Sequence, residues 1–393
     1  MKTRISRGVV AAVLAVTALT ACSTGAPTGG GTADTGTAAS SLTADAEREL
    51  QATIDQYRAV PTFTPPGPAI DVTSLRGKKI YIIPETNNVF NTVNVAAMQD
   101  VAQRAGVEVT VFPNQGNTSQ WVQGMQTAVS QKVDLIVLAN APDPRALQPQ
   151  LAAAKAANIP VVVTHFYDDS TTPAPNCEGC AAGVTALETA PFDTAAKLLA
   201  DWVILQGKGN VNALIPIVGA VIPSPGMQAA IKGEFDKYCP KCTYKFVDIS
   251  LADFASAKLA TDIQASLSGD PKINWVIDQL DSMESATVSA INTAGRSGQI
   301  QIVGYNGATS SIKDVQSGTS PMVMDVGESA PWIGYSTMDQ AFRVLLGQPV
   351  VKASAPVRVF DSTNAKDAGD PPALTQGYGD AYVAGYEKLW GLS

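Results

Sequence analysis

Short apolar runs and amphipathic segments alternate along most of the chain. The first runs of strand length are Lys79–Ile83, Glu108–Phe112, Asp134–Leu138 and Pro160–Thr164. Their starts are 26 to 29 residues apart, which leaves room for one helix and two loops. This spacing is typical of βαβ units and predicts a parallel sheet with right-handed crossovers. The runs are apolar throughout, as expected for strands that are covered on both faces.

A second series of the same kind begins after a predicted helix at Phe192–Gln206. Its strands are predicted to start near Asn210, Tyr244, Asn274 and Gln301, followed by strands at Met322–Val326 and Ala355–Phe360. The helices predicted in this half are Met227–Tyr238, Phe254–Leu267, Met283–Ala294, Trp332–Leu346 and Tyr378–Trp390. Two consecutive series predict an α/β fold of two Rossmann-like lobes, each built on a parallel sheet.

We expect a three-segment hinge between these lobes. The crossings are predicted near Ala186–Thr189, Asp325–Gly327 and Gly347–Lys352. The first lobe would then consist of residues 77–187 plus 327–350, and the second of residues 188–326 plus 351–361. A helix at Ser41–Arg58 and a Pro-rich connector make up residues 41–76, and residues 362–393 form a C-terminal extension.

The N-terminus has the pattern of a bacterial lipoprotein signal. Three basic residues precede the apolar run Val9–Leu19, which is too short to span a membrane well. The sequence Leu19-Thr20-Ala21-Cys22 follows and resembles a lipobox, in which Cys22 becomes the lipid-bearing first residue. We therefore predict a signal peptide at residues 1–21 and a flexible Gly/Thr/Ala-rich tether at residues 22–40. The alternative is an ordinary signal peptide with an accidental cysteine.

Charge and composition limit the classes of function that the protein can have. The net charge is −8, and it becomes −11 once the three basic residues of the signal are removed. Such a charge argues against nucleic acid as a partner. No phosphate-binding or nucleophile-elbow motif is present, and the single histidine, His165, limits histidine-based catalysis and metal binding. An enzyme is therefore not expected, although a glycosidase that uses two carboxylates such as Glu85 and Asp281 stays open.

The predicted topology indicates where a ligand would bind. In open parallel sheets, ligands lie beyond the carboxyl ends of the strands. The segments at those ends are 85–90, 139–143 and 165–168 in the first series, and 223–228, 250–254, 279–281, 305–306 and 325–328 in the second. They combine aromatic rings, which can stack on the C–H faces of a sugar, with short carboxylates and amides, which can bind its hydroxyls. Each such residue taken alone is more often a packing or capping residue.

Five local patterns follow one another along the chain. They are Asn87-Asn88-Val89-Phe90, the passage Ala156–Val162, Ala252-Asp253-Phe254, Gln279–Met283 and Val303-Gly304-Tyr305-Asn306-Gly307. Taken together, they resemble the type I periplasmic sugar-binding proteins of ABC importers, the group related to ribose-binding protein. The resemblance runs from about Lys78 to Phe360.

This resemblance implies roles for the matching positions. Phe90 and Phe254 would be stacking aromatics from opposite lobes, and Asn306 stands where the family usually has a hydroxyl-binding Asp. Asp325 stands near a hinge crossing, where the family often has Gln. The pair His165-Phe166 replaces a common Asp-Arg pair, so the pocket would be less charged and more aromatic. The predicted ligand contacts are Glu85, Asn87, Asn88, Phe90, His165, Phe166, Phe254, Gln279, Asp281, Asn306 and Asp325.

Four further cysteines form two C-x-x-C motifs, Cys177–Cys180 and Cys239–Cys242. Their separation is much greater than that in a zinc ribbon, and Cys239 follows a predicted helix, whereas redox motifs lie at a helix start. In an exported protein, two local disulfides are the simpler interpretation. Zinc binding or redox chemistry stays open, and no metal or cofactor is expected.

These features together predict a monomeric, lipid-anchored binding protein on the extracytoplasmic face of the cell membrane. It would bind a sugar or polyol between the lobes and deliver it to an ABC permease in the membrane. The main alternative is a sensory protein that reports the same ligand to a membrane receptor without transport.

Overall fold

The computed structural model describes residues 42–392 apart from residues 141 and 175, so the predicted signal peptide, Cys22 and most of the tether lie outside the described residues. The described strands are β1 (Lys79–Pro84), β2 (Glu108–Val111), β3 (Leu135–Ala139), β4 (Val161–Asp168), β5 (Ala186–Ala190), β6 (Asn212–Ile217), β7 (Thr243–Asp248), β8 (Trp275–Ile277), β9 (Gln301–Asn306), β10 (Met322–Glu328) and β11 (Val357–Asp361). The described α-helices are α1 (Ala44–Arg58), α2 (Val89–Ala105), α3 (Thr118–Ser130), α4 (Gln148–Ala156), α5 (Phe192–Gln206), α6 (Ser224–Tyr238), α7 (Leu251–Phe254), α8 (Lys258–Gly269), α9 (Glu284–Thr293), α10 (Thr309–Ser317), α11 (Ala330–Leu345) and α12 (Ala381–Leu389).

The strands form two sheets, one in each lobe. The first sheet has the order β2-β1-β3-β4-β5, and its strands are parallel. The second has the order β11-β10-β9-β8-β6-β7 and is parallel except for the antiparallel edge strand β11. The predicted α/β fold of two lobes with parallel sheets is therefore confirmed.

Local sequence explains why these elements form where they do. Strands β3, β5 and β11 are buried at every position, which matches their continuous apolar sequences. Helix α2 begins at the N-cap Asn88, whose side chain accepts a hydrogen bond from the backbone of Asn91. It ends at Gly106, whose φ of 68° is a left-handed conformation that favours glycine.

Several elements differ from the sequence-based prediction. Helix α1 begins at Ala44, after the N-cap Thr43, and α12 begins at Ala381. Residues Ala186–Thr189, predicted as a crossing, lie in the edge strand β5, since this segment pairs with β4. Helix α10 was not predicted, because its Ser-rich sequence has few apolar positions.

Each sheet has an apolar cluster on both faces. One face of the first sheet packs with α2 and α11, and the other packs with α3 and α4. The second sheet packs with α5 and α6 on one face and with α8, α9 and α10 on the other. Helix α11 follows a strand of the second sheet but packs against α2 and β5 of the first lobe, so the chain changes lobes after Glu328.

Three crossings connect the lobes at the hinge. The chain leaves the first lobe after β5, returns between β10 and α11, and leaves again between α11 and β11. Both the backbone N–H and the hydroxyl of Thr189 donate to the carbonyl of Ala353, at 2.8 and 2.9 Å, which ties the first crossing to the third.

A buried ion pair fixes both terminal segments to α11. Arg343 Nε donates to Asp339 Oδ2 at 2.7 Å, and Trp390 Nε1 donates to Asp339 Oδ1 at 2.9 Å. Arg343 also donates to the carbonyl of Pro68 at 2.9 Å. Asp339 and Arg343 are at most 2% exposed, so each charge depends on the other for its solvation.

Removing one member of this pair leaves the other charge buried without its partner. We expect Asp339→Ala to lower the free energy of unfolding by about 3 to 5 kcal/mol, measured by chemical denaturation. The exposed pair Lys232–Asp236 has the same i,i+4 spacing and provides the matched control. Asp236→Ala should change the free energy by less than about 1 kcal/mol. Equal losses in the two variants would contradict this interpretation.

Candidate functional site

The two lobes meet where His165 and Glu328 contact each other. His165 lies near the end of β4 in the first sheet, and Glu328 is the last residue of β10 in the second. His165 Nε2 hydrogen-bonds Glu328 Oε2, and the hydroxyl of Tyr305 donates to Glu328 Oε1. Glu328 is 1% exposed, so one buried carboxylate binds side chains from both lobes.

Aromatic rings line this junction in a continuous series. The ring centroids of Phe90 and His165 are 5.8 Å apart, and those of His165 and Phe192 are 5.3 Å apart. Phe192 is followed by Tyr305 at 6.0 Å, with the rings edge to face. Phe90 is half-buried, so part of its surface remains accessible at the edge of the first sheet. The series supplies apolar ring surface beside hydrogen-bonding groups, a combination that suits a sugar.

Glu188 lies behind the junction on β5. It is 1% exposed, and burial raises the pKa of its carboxyl well above the usual range. The nearby Glu328 raises the pKa of Glu188 further, because two adjacent carboxylates repel each other. Glu188 therefore keeps its proton more readily than a free glutamate, and the oxygens of Glu328 bind His165 and Tyr305.

Side-chain amides of α2 and of the loop after β3 hydrogen-bond each other in the first lobe. Asn140 Nδ2 donates to Asn91 Oδ1 at 2.8 Å, and Asn91 Nδ2 donates to the carbonyl of Thr86 at 2.8 Å. The backbone N–H of Asn140 donates to the hydroxyl of Thr164 at 3.0 Å. Asn140 is 8% exposed, and its Oδ1 has no protein partner among the described residues.

The predicted contacts Glu85, Asn87 and Asn88 lie in the loop that leads into α2. Glu85 is half-buried, and burial raises the pKa of its carboxyl, while a hydrogen bond with Asn91 lowers it. Asn87 and Asn88 are exposed and cap the helix: Asn87 Oδ1 accepts from the Thr92 hydroxyl at 3.3 Å, and Asn88 Oδ1 accepts from the backbone of Asn91 at 2.8 Å. Capping therefore engages both asparagine oxygens.

In the second lobe, Asp281 and Asp325 hold the turn that carries Asn306. Asp325 Oδ1 accepts from the backbone N–H of Gly307 at 3.0 Å, and Asp281 Oδ2 accepts from that of Ala308 at 2.6 Å. Asp281 is 7% exposed and Asp325 is fully buried, so both carboxyls lie behind the turn. Asn306 is half-buried at the end of β9.

Of three other predicted contacts, Gln279 and Phe166 are buried and Phe254 is partly buried. Gln279 accepts from the backbone of Val218 at 2.7 Å and donates to the hydroxyl of Ser224 at 2.7 Å, which orders the loop after β6. Phe166 is 7% exposed in the first-lobe core, and Phe254 is partly buried against the second-lobe core.

The lobes also touch beyond the hinge. Ile222, in the loop between β6 and α6 of the second lobe, packs against the first-lobe cluster that contains Phe166 and Tyr167. The segment between β4 and β5 belongs to the same cluster and carries the disulfide Cys177–Cys180. The other disulfide is Cys239–Cys242, so neither links the two motifs. The described residues contain no group of three metal-ligating side chains in reach of one ion.

Sequence reasoning did not single out several residues of this site. Tyr305 and Glu328 lie within strand-end segments that the predicted topology indicates. Their position at a strand end could therefore have identified them. Phe192 was assigned only to a helix, and Asn91 and Asn140 were not chosen. The role of Phe192 depends on contacts between β4, α5 and β9, and that of the two asparagines on the contact of α2 with the end of β3. No local pattern reveals either contact.

Two lobes built on parallel sheets, with aromatic and polar side chains at the carboxyl ends of the strands, define a two-lobed binding protein. The family described as periplasmic binding protein domain matches residues 80–349, more than half of the chain. The chain belongs to this family. Periplasmic binding proteins act outside the cytoplasm. No described helix is long and apolar enough to cross a membrane.

Individual relatives support the same assignment. The ribose import binding protein of Bacillus subtilis is 26% identical over 279 residues, which cover 70% of this chain and 83% of the relative. The fructose import binding protein of Bifidobacterium longum is 24% identical over 294 residues, covering 72% and 83%. An ABC transporter solute binding protein from Agrobacterium vitis, bound with α-D-tagatopyranose, has a similar fold, with a TM-score of 0.64 and 18% identity; the match covers 74% of this chain and 96% of that one.

The protonated state of Glu188 should affect stability as a function of pH. Its raised pKa means that the folded protein keeps a proton that the unfolded chain loses above about pH 4.5, its ordinary value. The free energy of unfolding should therefore fall as pH rises above about 4.5, and less so in Glu188→Gln. Exposed Glu47→Gln is the control and should follow the parent protein, with denaturation measured at each pH. Identical slopes for Glu188→Gln and the parent would mean that Glu188 is ionised when folded.

Proposed function

We propose that the protein is the extracytoplasmic solute-binding lipoprotein of an ABC importer, with a neutral sugar or polyol as its ligand. The observation that carries this proposal is the junction of Phe90, His165, Phe192, Tyr305 and Glu328, which places ring surface and hydrogen-bonding groups between the lobes. Sugars present apolar C–H faces and hydroxyls in this same combination.

The names of the relatives support a sugar as the ligand class. Ribose and fructose appear in the names of two import binding proteins, and tagatose is bound in a protein of similar fold. The sequences are too dissimilar to transfer any one of these sugars to this chain. Import also implies an ABC permease as the membrane partner.

The charges at the strand ends favour a neutral ligand. Arg145 follows β3, but its guanidinium forms hydrogen bonds with both oxygens of Asp143 and lies over the ring of Phe166. His165 on β4 is hydrogen-bonded to Glu328. A ligand with a carboxylate or phosphate would need a cation that is not already paired, whereas hydroxyls can bind to carboxylates and amides.

Ligand binding between two lobes would stabilise the arrangement in which they touch. In the structure the lobes touch in this way, because Ile222 of the second lobe packs against the first-lobe cluster. A ligand that contacts both lobes binds it more tightly than an open form and shifts the population toward it. The basic and apolar N-terminus with Cys22 supports a lipid anchor, which would keep the protein near its permease.

A sugar and polyol panel tests this function. At least one sugar should raise the melting temperature of the full chain, because a ligand that binds only the folded state stabilises it. Phe90→Ala should weaken the affinity for that sugar by about 10- to 100-fold, measured by calorimetry, because ring surface is lost.

Val89→Ala is the matched control, since the neighbouring Val89 side chain is 70% exposed. Its affinity should equal that of the parent. A broad panel without any shift would contradict the proposed function, and a Phe90→Ala variant of unchanged affinity would contradict the proposed site.

A further inference from the structure

The turn after β9 has an unusual backbone that two carboxyls stabilise. Asn306 has φ 132° and Gly307 has φ 73°, both in the range that side chains rarely adopt. The backbone N–H groups of Gly307 and Ala308 donate to Asp325 and Asp281 respectively. The conformation of Asn306 therefore depends on two side chains that lie beneath it.

Each carboxyl has a second oxygen that is buried and has no hydrogen-bond partner among the described residues. These atoms are Asp281 Oδ1 and Asp325 Oδ2. The two carboxyls lie close together, because they accept from the adjacent backbone N–H groups of Ala308 and Gly307. Both groups are more than nine-tenths buried, where two ionised carboxylates would repel each other strongly.

We infer that Asp281 and Asp325 form one acid pair sharing a proton, which positions Asn306 for ligand binding. This inference rests on the proposed function, because Asn306 is assigned there as a ligand contact. Asp281 and Asp325 are positioning residues that act through the backbone of the turn.

The surrounding charges are consistent with a shared proton. Burial raises the pKa of Asp325 well above its usual range, with Asp281 as the next cause, and burial raises the pKa of Asp281 to about 6. The other titratable groups that influence this pair or lie close to it are Glu284 of α9, Asp278 after β8, Glu328 of β10, Arg358 of β11 and Tyr378 of the C-terminal extension. Burial raises the pKa of Glu284 to about 7, so it is the main competing group near neutrality.

Asp325→Asn and Asp325→Ala distinguish positioning from simple packing. The amide of Asp325→Asn can donate to Asp281 and still accept from Gly307, so sugar affinity should stay within about threefold of the parent. Asp325→Ala lacks both bonds, and its affinity should fall at least tenfold. The parent should lose affinity at alkaline pH, where the shared proton is lost, and Asp325→Asn should not. Glu284→Gln is the control and should keep the alkaline loss.

Hydrogen exchange of the Gly307 and Ala308 amides, measured without ligand, separates this inference from the proposed function. Faster exchange in Asp325→Ala but not in Asp325→Asn supports the pair even if no sugar binds. Unchanged exchange in Asp325→Ala overturns it, as does an equal loss of affinity in both variants. If Asp325→Ala does not fold, the loss of sugar affinity at alkaline pH decides. If Asp325→Asn shows the same loss as the parent, the inference is overturned.

A second and independent inference concerns the segments outside the family match at residues 80–349. Helix α1 packs on the second lobe through Leu50 and Ile54. At its end, Arg58 forms an ion pair with Asp361, and its carbonyl accepts from Arg358 Nε at 2.8 Å. Phe63 then packs in the first lobe, with its ring 4.8 Å from that of Tyr386.

The C-terminal extension crosses between the lobes in the same way. Tyr378 packs edge to face on Phe360 of the second lobe at 5.4 Å, and Tyr382 stacks on Trp332 of the first lobe at 4.7 Å. The two segments meet where Val60 lies beside Gly379.

Both crossings are short. Four residues lie between Arg58 and Phe63, and three lie between Tyr378 and Tyr382. Fully extended, these segments span roughly 18 Å and 14 Å. We propose that they act as two straps that limit how far the lobes separate. Wide opening would require both straps to detach from a lobe.

Inserting Gly-Ser-Gly-Ser into both straps, between Val60 and Pro61 and between Gly379 and Asp380, tests this proposal, because one intact strap would still limit the separation. Spin labels on non-natural residues at Val89 and Leu251, which are 70% and 56% exposed on opposite lobes, report the separation without ligand. The parent should give a narrow distance distribution, and the double insertion should broaden it toward longer distances. The same insertion between Gly298 and Gln299, in the loop before β9, is the control and should match the parent. A broad distribution in the parent, or no change on lengthening both straps, overturns the proposal.

Discussion

Glu328 carries a carboxylate that both lobes use as a hydrogen-bond acceptor. His165 reaches it from the first sheet and Tyr305 from the second, at the point where the chain leaves β10 for α11. A buried carboxylate is stable only when hydrogen-bonding partners replace its water, so this group requires the two sheet edges to face each other. The series of aromatic rings from Phe90 to Tyr305 lies beside Glu328, because His165 and Tyr305 belong to the ring series and also bind the Glu328 carboxyl.

The other buried acids follow from the same requirement. Glu188 has no cationic partner among the described residues, and burial raises the pKa of its carboxyl, so that it keeps its proton. Asp281 and Asp325 together bind two backbone N–H groups. Asp339, in contrast, is paired with Arg343 and secures the terminal segments to α11. The buried acids therefore stabilise the hinge, the turn of Asn306 and the attachment of the terminal segments. The apolar clusters form the cores of the two lobes.

Much of the fold was predictable because it depends on local pattern. Runs such as Lys79–Ile83 and Asp134–Leu138 are apolar throughout, and parallel strands covered on both faces have this pattern. Edge elements were harder to predict. Strand β5 contains Glu188 and Thr189, whose polarity indicates a loop, yet both are buried by pairing with β4 and by the third crossing. Helix α10 has too few apolar residues for a periodicity signal and is held by packing around Ile312 and Val315.

The sequence by itself determined the α/β class, the two lobes and the edge at which a ligand site would form, because these depend on periodicity and on strand direction. It could not decide which side chains at that edge face the cleft. Gln279 and Phe166 stand at strand ends but point into the protein, whereas Glu328 and Phe192 meet residues more than a hundred positions away. Such pairings arise only when the two sheets are brought together, since hydrogen bonds and ring contacts depend on distance in space and not along the chain.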